Sequence, residues 1–150
     1  MKILIPVETE SDAKLILDFV ANYHFPPNTK IDIFHAIDPL HQAQEREIGV
    51  QVFLNQLKKR LQSFIKVADV TTTILYDCPV NAIIHLVATR KADMVVMGYS
   101  SRTHHDGNLA AGSVSRAIAA QVPCSVVIIR PPLYQPSLVA EEELEPVFTG

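Results

Sequence analysis

The fold of this chain is decided by the sequence ADMVVMG at residues 92–98, GSVSRAIAAQ at 112–121 and CSVVII at 124–129. The outer two segments are short and apolar, which predicts buried strands, and the middle one predicts a short helix. A strand that ends at Gly98 and a helix that opens at Gly112-Ser113 bring backbone N–H groups and the positive end of a helix dipole together. Because an anion is stabilised at such a point, the stretch predicts a phosphate pocket.

Outside this stretch, short β-branched runs alternate with longer segments of helical period. The alternation is typical of βαβ units, so we predict an α/β fold with a mostly parallel sheet. The five predicted strands are Lys2 to Val7, Lys30 to Ile37, Val70 to Tyr76, Asp93 to Gly98 and Ser125 to Arg130.

Four helices are predicted between these strands. Thr9 and Asp12 have the spacing of a capping box for the first helix. An apolar stripe from Val50 to Ile65 marks the second helix, near whose start Gly49 costs about 1 kcal/mol relative to alanine. Pro79 suits the first position of the third helix. The first and fourth helices are predicted to span Ser11 to Tyr23 and Ser113 to Gln121.

Composition excludes several function classes. A chain of 150 residues with 48% hydrophobic residues can bury a core as one domain. Its net charge of −3 argues against nucleic acid or a membrane surface as partner, since those need a basic footprint. We find no signal segment and no apolar run near the roughly 18 residues of a membrane helix, and therefore expect a cytoplasmic location. Cys78 and Cys124 are interpreted as small buried side chains in a reducing compartment.

The character of the chain changes after Arg130. This last segment contains four glutamates and no other charged residue, so its charge is −4. The rest of the chain has a charge of +1, and together they give the net charge of −3. We predict a domain over residues 1–132 and an acidic, proline-containing tail over 133–150. The tail is either disordered or forms a short helix from Leu138 to Leu144 that docks on a partner subunit.

Candidate ligand residues follow the predicted strands, because open parallel sheets bind ligands at the carboxyl ends of their strands. Glu8 follows the first strand, where its carboxylate could accept from a ribose, help to hold a metal, or cap the next helix. The loop after Gly98 supplies hydroxyls, Arg102 and two histidines, all suited to phosphate. We expect His35 to hydrogen-bond locally.

Other chemistry is not supported by the motifs. The run His104-His105-Asp106 is a poor metal site, since neighbouring residues of an extended segment point to opposite sides. Neither of the two common phosphate fingerprints occurs, and no Ser-His-Asp or Cys-His arrangement has supporting context. We therefore predict no catalytic residue and no metal-binding residue.

The sequence resembles a universal stress protein domain over about Met1 to Pro132. The resemblance is carried by KILIPV at 2–7, HAID at 35–38, GSVS at 112–115 and VPCSVV at 122–127. It implies an open five-stranded parallel sheet with helices on both faces, in strand order 3-2-1-4-5, the adenine nucleotide alpha hydrolase-like fold. It also implies a homodimer that pairs through Ser125 to Arg130 and, in one branch of the family, ATP bound at the strand ends.

Carried over by position, the resemblance implies an acid at the ribose, a backbone contact to adenine and a glycine-rich cradle for the phosphates. The implied nucleotide-binding residues are Glu8, Ala36, Gly98, Gly112, Ser113 and Val114, to which the loop and helix residues Ser101, Arg102 and Ser115 are added. The chain departs from the pattern in three ways. Glutamate replaces aspartate at Glu8, serine replaces glycine at Ser101, and ten residues instead of nine separate Ser101 from Gly112. The last two changes should distort the cradle.

The sequence thus predicts a dimeric regulatory domain that binds an adenine nucleotide, ATP or AMP, as a signal in stress response, with Mg²⁺ as a candidate companion. The alternative is a nucleotide-free dimeric scaffold of the same family with an unknown protein partner. An ATP-cleaving enzyme is the weakest interpretation, because efficient phosphoryl transfer needs positioned metal and cationic groups.

Overall fold

The structure is a computed structural model that describes residues 1–40, 43–65, 68–99 and 112–131. Strands and helices alternate along the chain, as the sequence predicts. The elements are β1 (Lys2–Pro6), α1 (Glu10–Ala21), β2 (Thr29–Ile37), α2 (Ala43–Phe64), β3 (Ala68–Tyr76), α3 (Pro79–Arg90), β4 (Met94–Gly98), α4 (Ser113–Gln121) and β5 (Ser125–Ile129).

The five strands form one sheet in the order β3-β2-β1-β4-β5, with every neighbouring pair parallel. The predicted fold class and strand order are therefore confirmed. Strand ends differ from prediction by one or two residues, most at β3, which begins at Ala68 and continues the ladder with β2. In this order β1 lies at the centre and the chain reverses its direction of winding beside it, which leaves a crevice at the carboxyl ends of the strands.

Both faces of the sheet are covered, as a parallel sheet requires. Alternating residues of one strand serve different faces: Ile3 and Ile5 pack under α1 and α2, whereas Leu4 packs under α3 and α4. Phe34 of β2 is 1% exposed in the second cluster, and its truncation to alanine would cost about 3–5 kcal/mol. The two cores fix the sheet as a rigid platform for the crevice.

Helix α1 begins as the capping motif predicts, with one difference. The hydroxyl of Thr9 accepts a hydrogen bond from the Asp12 amide at 3.2 Å. The Asp12 carboxylate accepts from the amide of Glu8, at 3.3 Å, instead of from that of Thr9. Thr9 is thus the N-cap, and the capping role considered for Glu8 falls to its neighbour. The helix ends at Ala21, before Tyr23, because Asn22 leaves the helical conformation.

The cysteines correct one prediction. Cys78 is exposed as the N-cap residue of α3, whereas Cys124 is half-buried. Burial raises the pKa of the Cys124 thiol, and the negative charge of Asp93 adds to the effect against a weaker opposing backbone hydrogen bond. The prediction that Cys78 is buried is therefore wrong, because its position as the N-cap residue of α3 leaves it exposed.

Within the described ranges, none of the helices combines the length and the apolar character that crossing a bilayer requires.

Candidate functional site

The crevice lies where β1, β2 and β4 end. Four of the predicted site residues line it together: Glu8 after β1, Ala36 in β2, Gly98 at the end of β4 and Val114 in the first turn of α4. Its apolar floor comes from Phe34, Ile83 and Met97. Residues from four separate parts of the chain meet here because parallel strands present their carboxyl ends at one edge.

The crevice is narrow. Its cavity volume is about 30 Å³, which is enough for a few water molecules.

The first turn of α4 holds the other predicted residues. Gly112 is the N-cap residue and has φ of +78°, a conformation that glycine adopts without strain. Ser113 and Val114 follow it in the first turn. Ser115 is buried, and its hydroxyl donates to the carbonyl oxygen of Gly112 at 3.0 Å. The Ser115 proton is thus committed within the helix, although its oxygen can still accept.

Ser101 and Arg102 lie outside the described residues, as do His104, His105 and Asp106. Their predicted roles stay predictions. Among the residues that the structure describes, no group of three histidine, cysteine, aspartate or glutamate side chains is arranged to hold a metal ion.

His35 is buried beside the crevice, and its bonding differs from the prediction. Its Nδ1 lies 2.7 Å from the carbonyl oxygen of Val7, the residue that follows the neighbouring strand β1. Since a carbonyl only accepts, Nδ1 must carry the proton. The prediction of a local bond is wrong because the β1–β2 pairing places against the ring a carbonyl from a residue 28 positions away in sequence. The bond ties the end of β2 to the residue that precedes Glu8.

Asp12 is a residue that sequence reasoning placed only in a helix cap. In the structure it also lines the crevice, and its carboxylate lies against Gly98: a Cβ added to Gly98 would sit 2.9 Å from Asp12 Oδ1. Glu8 and Asp12 thus bring two carboxylates to the crevice. The capping signal identifies Asp12, but its closeness to Gly98 depends on the packing of α1 over β4.

Tyr99 is a second residue that the sequence did not single out. Its ring covers Gly112: a Cβ placed there would be 2.8 Å from the Tyr99 Oη and closer still to ring carbons. The guanidinium carbon of Arg130 lies 4.4 Å from the ring centroid, a cation–π arrangement. The only sequence signal was an aromatic residue directly after the strand glycine, where small or polar residues are usual in turns.

Strand order, winding and crevice position define a parallel α/β domain of the adenine nucleotide alpha hydrolase-like fold. The model of the universal stress protein family matches residues 1–130. The chain therefore belongs to the universal stress protein family, as its resemblance implied. None of the curated proteins matches the sequence significantly.

Three solved structures show the shared fold. A universal stress protein in complex with cAMP has a TM-score of 0.65 at 19% identity, over 87% of this chain and 96% of that one. The universal stress protein from Archaeoglobus fulgidus in complex with dAMP has 0.64 at 20%, over 86% and 97%. A universal stress family protein from Arabidopsis thaliana with AMP bound has 0.60 at 15%, over 89% and 93%.

Proposed function

We propose that this protein is a dimeric regulatory domain that binds an adenine nucleotide as a signal in stress response. The observation that carries the proposal is the meeting of Glu8, Ala36, Gly98 and Val114 around one crevice. Proteins of the same fold are solved with cAMP, dAMP and AMP, which supports an adenine nucleotide as the ligand class.

Each residue has a distinct role in this proposal. The backbone of Ala36 contacts the adenine, and the carboxylate of Glu8 accepts from the ribose hydroxyls. Gly98 and the first turn of α4, from Gly112 to Ser115, surround the phosphate, where the helix dipole favours negative charge. Ser101 and Arg102 remain proposed phosphate contacts from the loop.

Magnesium is a proposed companion of the nucleotide, and Glu8 is an oxygen donor of the kind Mg²⁺ takes. When bound, the ion would supply charge neutralisation at the phosphate. We assign no catalytic residue, so the nucleotide acts in this proposal as a conformational signal.

The dimer is proposed to form through β5. This strand is at the edge of the sheet, and among the described residues it pairs only with β4. Its four aliphatic residues, Val126 to Ile129, are each only half-buried. An apolar edge of this kind favours pairing with a second copy, because an unpaired one invites aggregation. We further propose a cytoplasmic location and a domain end near residue 132.

Calorimetric titration of the full chain with AMP and with ATP tests the nucleotide proposal. A ligand that binds only the folded protein also raises its free energy of unfolding, by about 2.7 kcal/mol at a hundredfold excess over Kd. Substituting Val114→Asp places a negative charge in the first turn of α4, where it suits the helix dipole but repels phosphate. We expect it to abolish nucleotide binding without loss of fold.

The matched control is Val114→Asn. Asparagine has the same shape as aspartate and loses the same packing as the Val114→Asp variant, but it carries no charge. It should weaken binding much less than Val114→Asp. Equal losses in the two variants would contradict a phosphate beside Val114.

A nucleotide-free dimeric scaffold is the second candidate function. The narrowness of the crevice and the cover that Tyr99 provides for Gly112 favour it. Its signature is the absence of any heat of binding and of any change in melting temperature with AMP, cAMP or ATP, together with a stable dimer.

A further inference from the structure

Two of the protein's own side chains lie against the glycines that are proposed to surround the phosphate, one against Gly98 and one against Gly112. One is Asp12, whose carboxylate lies against Gly98, with Oδ1 at 2.9 Å from the position of an added Cβ. Its other oxygen accepts from the Glu8 amide at 3.3 Å, which holds the carboxylate in this orientation. The negative charge therefore lies beside Gly98, one of the residues that are proposed to surround the phosphate.

The other side chain is Tyr99, which is held from two sides. Its backbone amide donates to the carbonyl oxygen of Ile129 at 2.8 Å, and the guanidinium of Arg130 stacks on its ring. The ring lies over Gly112, whose lack of a side chain and positive φ allow this close approach. A phosphate beside Val114 leaves the ring in place, whereas a longer phosphate chain that extended onto Gly112 would have to displace it.

Charge and space act in the same direction. Each additional phosphate brings more negative charge towards Asp12 and Glu8, and the Coulomb repulsion grows with that charge. Each also needs room that the Tyr99 ring occupies. A single phosphate next to Gly98 and Val114 meets the smallest repulsion and leaves the ring in place.

We infer that Asp12 and Tyr99 restrict this crevice to adenosine ligands with one phosphate and discriminate against di- and triphosphates. The inference rests on the proposed function, because it assumes that adenosine binds beside Ala36 and Glu8. Arg130 acts through the ring as a positioning residue.

The test is the ratio of Kd for ATP to Kd for AMP, measured by calorimetry on the full chain in excess Mg²⁺ and again in chelator. We expect wild type to bind AMP at least about tenfold more tightly than ATP in both conditions. In Asp12→Asn and in Tyr99→Ser the ratio should fall towards one, chiefly through tighter ATP binding. Melting temperatures without ligand verify that each variant is folded.

Two control variants separate this effect from general changes in charge and aromatic content. Asp18→Asn removes the same charge from the exposed face of α1, and Tyr23→Ser removes an exposed ring after the same helix. Both should keep the wild-type ratio.

The possible failures are distinct. Equal affinity for AMP and ATP, or tighter ATP binding, overturns the inference and leaves the proposed function standing. Discrimination that persists in both Asp12→Asn and Tyr99→Ser overturns the assignment to these residues. No binding of either nucleotide by wild type overturns the proposed function, and this inference with it.

Discussion

The two outer strands of the sheet differ in how their side chains are used. Strand β3 has nine residues, and its Thr71 and Thr73 hydroxyls both donate to the Asp32 carboxylate, each at 2.9 Å. Arg90 completes this network with an ion pair to Asp32 at 2.8 Å. Strand β5 has five residues, four of them half-buried aliphatics. At the β3 edge, polar side chains form hydrogen bonds within the domain. The β5 edge instead presents an apolar strip, which is the proposed contact with a second chain.

The two cysteines and Tyr76 also differ between the β3 edge and the β5 edge. Exposed Cys78 comes after β3 and half-buried Cys124 comes before β5. At the end of β3, the Tyr76 hydroxyl donates to Glu47, and this hydrogen bond raises the pKa of Tyr76, with smaller contributions from burial and from the charge of Glu47. The reactivity of Cys124 therefore reports on the β5 edge, and the titration of Tyr76 reports on the β3 edge.

The largest expected effect comes from breaking the β3 network. Asp32→Ala leaves two threonine hydroxyls and Arg90 without their acceptor, and we expect it to lower the free energy of unfolding by about 2 kcal/mol. Asp69→Ala removes an exposed carboxylate from β3 itself and should change the free energy of unfolding by less than about 0.5 kcal/mol. Urea titration of both variants measures the difference, and similar losses would mean that the network contributes nothing specific.

The next effect tests the β5 edge. The Ile129 carbonyl accepts from Tyr99, and main-chain groups alternate in direction along a strand, so the N–H of Ile128 points away from β4. Ile128→Pro removes that donor, which lies in the proposed dimer interface, and should weaken the dimer roughly tenfold because two hydrogen bonds are lost per dimer.

Sedimentation equilibrium measures this change. Ile128→Ala is the matched control, since it loses the side chain but keeps the donor, and it should remain more dimeric than the proline variant. A wild-type chain that sediments as a monomer would remove the proposed interface altogether.

A smaller effect concerns thiol reactivity. Because the pKa of Cys124 is raised by burial, less of it is thiolate near pH 8. We expect iodoacetamide to modify Cys78 faster than Cys124, as measured by mass spectrometry of digests over time. Raising the pH should reduce the difference in labelling rate between the two cysteines. In Ile128→Pro, labelling should accelerate at Cys124 and not at Cys78; acceleration at both would indicate general unfolding instead of an opened β5 edge.

The smallest expected effect is at Tyr76. Glu47→Gln should lower the pKa of Tyr76 towards its ordinary value, as followed by tyrosinate absorbance against a Tyr76→Phe reference. The raised pKa means that the folded state favours the protonated phenol. The contribution of Tyr76 to the free energy of unfolding is complete below pH 10, the ordinary pKa of tyrosine, and is lost as the pH rises through the pKa of the folded state. An unchanged titration in Glu47→Gln would show that the hydrogen bond does not form.

Much of the fold was predictable because its signals are local. The alternation of strand and helix patterns gave the parallel sheet, and Thr9 and Pro79 marked the starts of two helices. Gly98 and Gly112 were identified from the same kind of signal, as points where a strand ends and a helix begins. The strand order came from family resemblance, since periodicity does not specify which strands are neighbours.

The contacts of the site were less predictable, because they join residues far apart in sequence. Nothing adjacent to Asp12 indicates that its carboxylate meets Gly98, and nothing adjacent to Tyr99 indicates that its ring covers Gly112. The same holds for His35, whose partner Val7 follows another strand. Side-chain chemistry is visible in the sequence, whereas the partner of each side chain is set by strand register and helix packing.

By itself, the sequence determined the element types, the apolar faces and the residues at the strand ends, because hydrophobic periodicity and capping act over a few residues. Only the tertiary structure decided which side chains line the crevice together and which one covers Gly112. Those outcomes depend on the relative placement of α1, β4, α4 and β5, which is fixed when the two hydrophobic cores are packed as a whole.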